Sequence, residues 1–139
     1  MNASPIGSDA QALIARLDWT CTPLGTASTW PQSLRTAVDI VIHSPMPMLL
    51  LWGPDLTQIY NDGFALLAGS KHPHAFGQPA HQVWPELKDF TDPIYSAVLQ
   101  GQVRTYSEQR FTLQRDGVDS DFWLDLTYSP IRDERGRVA

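Results

Sequence analysis

The stretch Met46-Pro47-Met48-Leu49-Leu50-Leu51-Trp52-Gly53-Pro54-Asp55-Leu56-Thr57-Gln58-Ile59-Tyr60-Asn61-Asp62-Gly63-Phe64 decides the fold. A short apolar run from Met48 to Trp52 stops at Gly53-Pro54-Asp55, three residues that favour a turn. Leu56 to Tyr60 follows with β-favouring residues, predicting a second strand. Asn61-Asp62 then offers a helix N-cap ahead of Phe64-Ala65-Leu66-Leu67-Ala68. The segment therefore reads as a β-hairpin that runs directly into a short helix.

Upstream, Ser8-Asp9-Ala10-Gln11 has the spacing of a capping box. Ala10, Leu13, Ile14 and Leu17 recur at helical intervals, so residues 9–17 read as a short amphipathic helix. Thr20 to Thr29 is a loop rich in Thr, Pro, Gly and Ser. A second helix starts at Thr29-Trp30-Pro31-Gln32, carries the stripe Leu34, Ala37, Val38 and Val41, and ends at Ser44-Pro45. That stripe is expected to be buried against the domain or against a partner.

Downstream, Ser70 to Pro85 reads as irregular because Pro73, Gly77, Pro79 and Pro85 interrupt it. A longer helix is expected over 86–99, with Leu87, Phe90, Ile94 and Val98 on one side, Gly101 as its stop and, because of Pro93, a kink or split near Thr91-Asp92. Val103 to Gln114 reads as a strand with Phe111 and Leu113 facing away from Arg110, Thr112 and Gln114. Asp116-Gly117 marks a turn. Phe122, Leu124, Leu126 and Tyr128 then alternate with Trp123, Asp125, Thr127 and Ser129, the period of a half-buried strand. Phe122 and Tyr128 thus share a side that Trp123 cannot join without a bulge, and alternation does not say which side is inner. Asp133-Glu134-Arg135-Gly136 is a further turn, and Val138-Ala139 reads as the start of another strand.

The bulk numbers bound the class. With 139 residues the chain can bury a single sizeable core, and 42% hydrophobic against 18% charged residues describes an ordinary globule. A net charge of -5 argues against a nucleic-acid surface or an anionic-membrane patch. No stretch approaches the roughly 20 apolar residues of a membrane span. The N-terminus lacks the basic start and apolar centre of a signal peptide, and the single cysteine forms no internal disulfide; both fit a cytoplasmic location.

The element order helix, helix, β, β, short helices, longer helix, β, β resembles that of a PAS domain with an N-terminal helical cap. The resembling residues are Trp52-Gly53-Pro54-Asp55 with Tyr60-Asn61-Asp62, Gly77-Gln78-Pro79 ahead of Val83-Trp84-Pro85-Glu86, and Tyr128-Ser129-Pro130-Ile131-Arg132-Asp133-Glu134-Arg135-Gly136. Trp30-Pro31-Gln32-Ser33-Leu34-Arg35, with Pro23-Leu24-Gly25, is similar to a lead-in found before such domains in bacterial sensor histidine kinases. The resemblance implies an α+β fold: residues 1–45 as helical cap and lead-in, and 46–139 as an antiparallel sheet flanked by helices that hold a pocket. It implies five strands, the fifth lying between the first and the fourth. That strand would follow Arg137-Val138, where the sequence stops. The expectation is that a longer native chain or a neighbouring molecule supplies it, and that the flanking strands otherwise stand about 10 Å apart.

For function, the resemblance implies a cytoplasmic sensory and signal-relay domain of two-component signalling. It would bind a small ligand or a partner and bias an effector, with its own effector domain and a homodimer partner as the implied contacts. A ligand-free dimerisation module, using segments 9–17 and 31–44, is the alternative; a small enzyme comes last, since no nucleophile elbow, phosphate-cradling glycine loop or zinc signature is present. Ligand-pocket candidates are Trp52, Tyr60, Phe64, Trp84, Phe90, Tyr95, Phe111, Trp123 and Tyr128, drawn from a chain with five Trp and five Phe. No catalytic residue and no metal site are expected. Cys21 lies in a loop upstream of the domain, unlike the flavin-adduct cysteine of the light-oxygen-voltage branch. Haem-binding members carry their histidine on the longer helix, where residues 86–100 have none. His43, His72, His74 and His81 read as solvated side chains. Neither flavin nor haem is expected, and an unidentified small ligand is the remaining possibility.

Overall fold

The computed structural model describes residues 8–115 and 117–139, in two compact units that divide between Val83 and Trp84. It is a mixed α+β architecture with two small antiparallel sheets. No helix among the described residues is long and apolar enough to cross a membrane.

The first unit contains α1 (Ser8–Arg16), α2 (Gln32–His43), β1 (Leu49–Trp52), β2 (Thr57–Tyr60), α3 (Asp62–Ala68) and α4 (Ala80–Val83). The hairpin forms where the turn triplet places it, with Leu49 opposite Tyr60 and Trp52 opposite Thr57. Its turn needs left-handed backbone at Gly53 (φ 82) and again at Leu56 (φ 52). α2 lies against this hairpin and buries Leu34, Ala37, Val38 and Val41 together with Ile42. The stripe is thus covered within its own unit.

All four residues of β2 are buried, and both of its edges are occupied. β1 pairs with one. The other is covered by the segment after α3: Gln58 N donates to Gln78 O at 3.0 Å, Gly77 N to Gln58 O at 2.8 Å and Ala80 N to Leu56 O at 3.0 Å. The Gln58 side chain, 0 % exposed, donates to Ala75 O at 3.2 Å. Residues 70–85, expected to be irregular, thus line that edge of β2 through an isolated bridge, Thr57 to Pro79, and include α4 and part of a 3-10 turn over Gly69–Lys71. Gly77 makes the close approach possible at φ 82: a Cβ there would stand 2.4 Å from Leu17 Cδ2.

One polar atom of this core has no hydrogen-bond partner among the described residues, the Thr57 hydroxyl. A buried hydroxyl without a partner carries its desolvation penalty uncompensated. Thr57→Val, nearly the same shape, is therefore expected to raise stability by about 1 kcal/mol, read as a higher urea midpoint. A lower midpoint would show that the hydroxyl is hydrogen-bonded.

The second unit holds a 3-10 turn (Pro85–Leu87), α5 (Lys88–Leu99), β3 (Arg104–Arg115) and β4 (Val118–Tyr128). Pro93 sits inside α5, and the helix continues past it as one element rather than splitting. The Asp116-Gly117 turn falls partly outside the described residues; Gly117 has φ 74.

β3 and β4 pair from Arg104↔Tyr128 to Arg115↔Val118, with a bulge between Tyr106 and Gln109. The bulge is held by Glu108, whose backbone is left-handed (φ 52) and whose amide donates to Asp125 Oδ1 at 2.7 Å. At the end of the chain the Asp133–Gly136 turn forms as read, and Arg132 bridges to Val138. Among the described residues the strands make two sheets of two, β1-β2 and β3-β4.

Candidate functional site

The first unit is organised by Asn61. Its Oδ1 accepts from Phe64 N at 3.0 Å, capping α3, and from Met48 N at 3.1 Å, fixing the start of β1. Its Nδ2 donates to Val41 O at 3.0 Å and Met46 O at 2.7 Å, with Ser44 O at 3.4 Å. One side chain, 2 % exposed, thereby ties the C-terminal end of α2, the following loop, β1 and α3 together. Its neighbour Asp62 takes Ala10 N at 3.0 Å, so α3 also caps the first turn of α1.

Next to this hub, Tyr60 is enclosed by rings. Phe64, Phe76 and His72 have centroids 5.3, 5.0 and 5.5 Å from it, and Phe76 continues to Trp19 and thence to Trp30. The Tyr60 hydroxyl lies 2.8 Å from His72 Nδ1. Burial holds the Tyr60 phenol far above its ordinary range, so it stays protonated, and the tautomer of the imidazole sets which of the two groups donates. Burial in turn lowers His72, partly offset by the carboxylates of Asp62 and Asp9. His72 is therefore a partner of a buried tyrosine, a role its loop position did not suggest.

A pH dependence follows from the lowered His72. Between its folded pKa and the ordinary value near 6.5, the unfolded chain binds a proton that the folded protein refuses, so stability falls as pH falls through that window. Melting temperatures at pH 7.5 and 5.5 should differ more for the wild type than for His72→Gln, which keeps an acceptor without the titration. Equal differences would rule out His72 as the source.

The second unit gathers the other aromatic candidates. Phe90 and Tyr95 of α5 face β3 and β4: Phe90 lies 5.2 Å from Tyr106 and 5.0 Å from Phe111, and Tyr95 lies 6.4 Å from Tyr128. The bulge makes this possible. By adding a residue to β3 it returns Phe111 to the side that holds Tyr106, so Tyr106, Phe111, Phe122, Leu124, Leu126 and Tyr128 share one face. Phe111 is buried there, while Phe90, Tyr95, Tyr106 and Tyr128 are half-buried. Burial raises the Tyr128 phenol, with Tyr95 and Tyr106 adding to the effect; burial also raises Tyr95, against a hydrogen bond from Thr91. The face thus offers neutral phenols on an aromatic floor.

The nine candidates therefore separate. Tyr60 and Phe64 lie together in the first unit, where Trp52 is also buried, and Phe90, Tyr95, Phe111 and Tyr128 lie together in the second. Trp84 is buried at the start of the second unit. Trp123 is on the other side of β4, 63 % exposed, which identifies the Phe122–Tyr128 side as the inner one. Tyr106, His72 and Phe76 belong to these clusters although the sequence did not single them out as pocket residues. Cys21 is exposed, its thiol 3.6 Å from Asp18 Oδ2. No group of three metal-ligating side chains occurs among the described residues. No protein-family model matches the chain, and no curated protein does.

Proposed function

We propose that this chain is a PAS-type sensory module of a bacterial signalling protein, acting in the cytoplasm on a histidine kinase effector. The observation that carries the reading is the inner face of the second unit, where α5 rests on half-buried rings of β3 and β4. A helix seated on such a face can be repacked by a ligand, and the bias can pass along the chain to an effector. The order of elements supports the family: a tight hairpin, an Asn-capped helix, short helices, a longer helix and a second hairpin. The dimerisation alternative loses one of its two surfaces, since the α2 stripe is buried within its own unit.

The test is a fusion of this chain ahead of the catalytic body of a histidine kinase. Ile94→Ala and the milder Val98→Ala disturb the seat of α5 and should each change autophosphorylation at least about threefold. Leu66→Ala, on a side chain 78 % exposed in the first unit, should not. Equal rates in all three variants and the wild type would refute the relay.

A further inference from the structure

The Tyr60–His72 pair has a second set of partners close by, contributed by two helices. His72 directly follows the 3-10 turn Gly69–Lys71 and is half-buried, whereas Tyr60 is 1 % exposed. Among the described residues the Tyr60 hydroxyl has one hydrogen-bond partner, His72 Nδ1 at 2.8 Å. With Nδ1 bare, the phenol donates and both groups are satisfied. A protonated imidazole carries hydrogen on both nitrogens. Nδ1 can then only donate, and the phenol hydrogen is left in the core without an acceptor. A buried donor stripped of its partner is costly. The cation and the buried phenol are therefore poor neighbours.

The alternative partners are carboxylates. Asp62, at the start of α3, and Asp9, in the first turn of α1, both act electrostatically on His72 and favour its charged form. Asp9 precedes Ala10, whose amide donates to Asp62 Oδ1 at 3.0 Å, so both acids belong to the junction that fastens α1 to α3. Ala10 is 2 % exposed there. The ammonium of Lys71, next to His72 in the chain, donates to Val83 O at 2.6 Å. Phe64 and Phe76, the other rings on Tyr60, carry no charge. An imidazolium released from Tyr60 thus meets two carboxylates, with which it forms the stronger, charge-assisted kind of hydrogen bond.

We propose that His72 is a two-position proton switch: neutral, it holds the Tyr60 hydroxyl; protonated, it leaves Tyr60 for the carboxylates of Asp62 and Asp9 and competes with the Ala10 amide for Asp62. The stimulus is acidification, which histidine is suited to detect, and the element that answers is α1. The device lies wholly in the first unit and does not depend on a relay through α5.

The test is a titration of the whole chain from pH 7.5 to 4.5, followed by NMR of protein with 13C-labelled histidine and tyrosine and a 15N-labelled backbone. As His72 protonates, nuclear Overhauser contacts between its ring and that of Tyr60 should disappear. The Tyr60 ring and Ala10 amide signals should move with the His72 midpoint. Asp62→Asn, which keeps an oxygen for Ala10 N, and Asp9→Asn each remove one negative charge, and both should lower that midpoint. In His72→Gln the Tyr60 and Ala10 signals should stay fixed through the wild-type midpoint; movement as large as in the wild type would assign the change to another group and overturn the switch. Contacts to Tyr60 that persist in the protonated form, an Ala10 amide that ignores the midpoint, a midpoint that either Asn variant leaves unmoved, or a His72 that stays neutral until the protein unfolds would each overturn it as well.

Discussion

Asn61→Asp is expected to destabilise the protein by about 4 kcal/mol, although it exchanges two residues that serve equally well as helix N-caps. The cap function would survive, since a carboxylate oxygen can still accept from Phe64 N and Met48 N. What is lost is the amide nitrogen that donates to Val41 O and Met46 O. In its place a carboxylate oxygen would face those carbonyls, and a buried charge among acceptors is strongly unfavourable. The signature is its pH dependence. Protonating the introduced carboxyl restores a donor, so the deficit should shrink as pH falls toward 5. A deficit below about 1 kcal/mol at pH 7 would mean that Asn61 is a cap alone.

Phe76→Ala is expected to remove about 3–5 kcal/mol. The side chain is fully buried and touches both Tyr60 and Trp19, so truncation opens a cavity between the hairpin and the loops preceding α2. The packed rings around the cavity can collapse into it only by abandoning their edge-on contacts. Near-UV circular dichroism should therefore lose intensity along with the denaturant midpoint, because Trp19, Trp30 and Tyr60 share one cluster. An unchanged near-UV spectrum would show that Phe76 fills space without ordering its neighbours.

What could be read in advance was local. Gly53-Pro54-Asp55 specified the hairpin turn, Asn61 the start of α3, and the i, i+3, i+4 stripe the buried face of α2. These depend on residues within a few positions of one another, where turn chemistry and periodicity act. The remainder depended on distant contacts. That residues 75–80 cover β2 cannot be seen in a segment broken by Pro73 and Pro79, because its hydrogen bonds go to backbone about twenty residues earlier. The same limit hid the Tyr60–His72 pair, an aromatic and a loop histidine joined only by the fold. For the aromatic face the alternation in β4 correctly separated Trp123 from Phe122 and Tyr128. The bulge at Ser107–Glu108, secured by Asp125, decided what β3 adds to it, and no simple period encodes that extra residue.

The relay claim requires that α5 sample a second packing arrangement while the Asn61 hub stays fixed. A minor state that a ligand can select is populated at roughly 0.1–10%, within reach of relaxation-dispersion NMR on the μs–ms scale. The measurement is amide 15N dispersion across the whole chain. The account predicts exchange contributions concentrated in Lys88–Leu99 and flat profiles at Met48 and Phe64, whose amides Asn61 holds. Profiles as flat in α5 as at Met48 and Phe64 would contradict it.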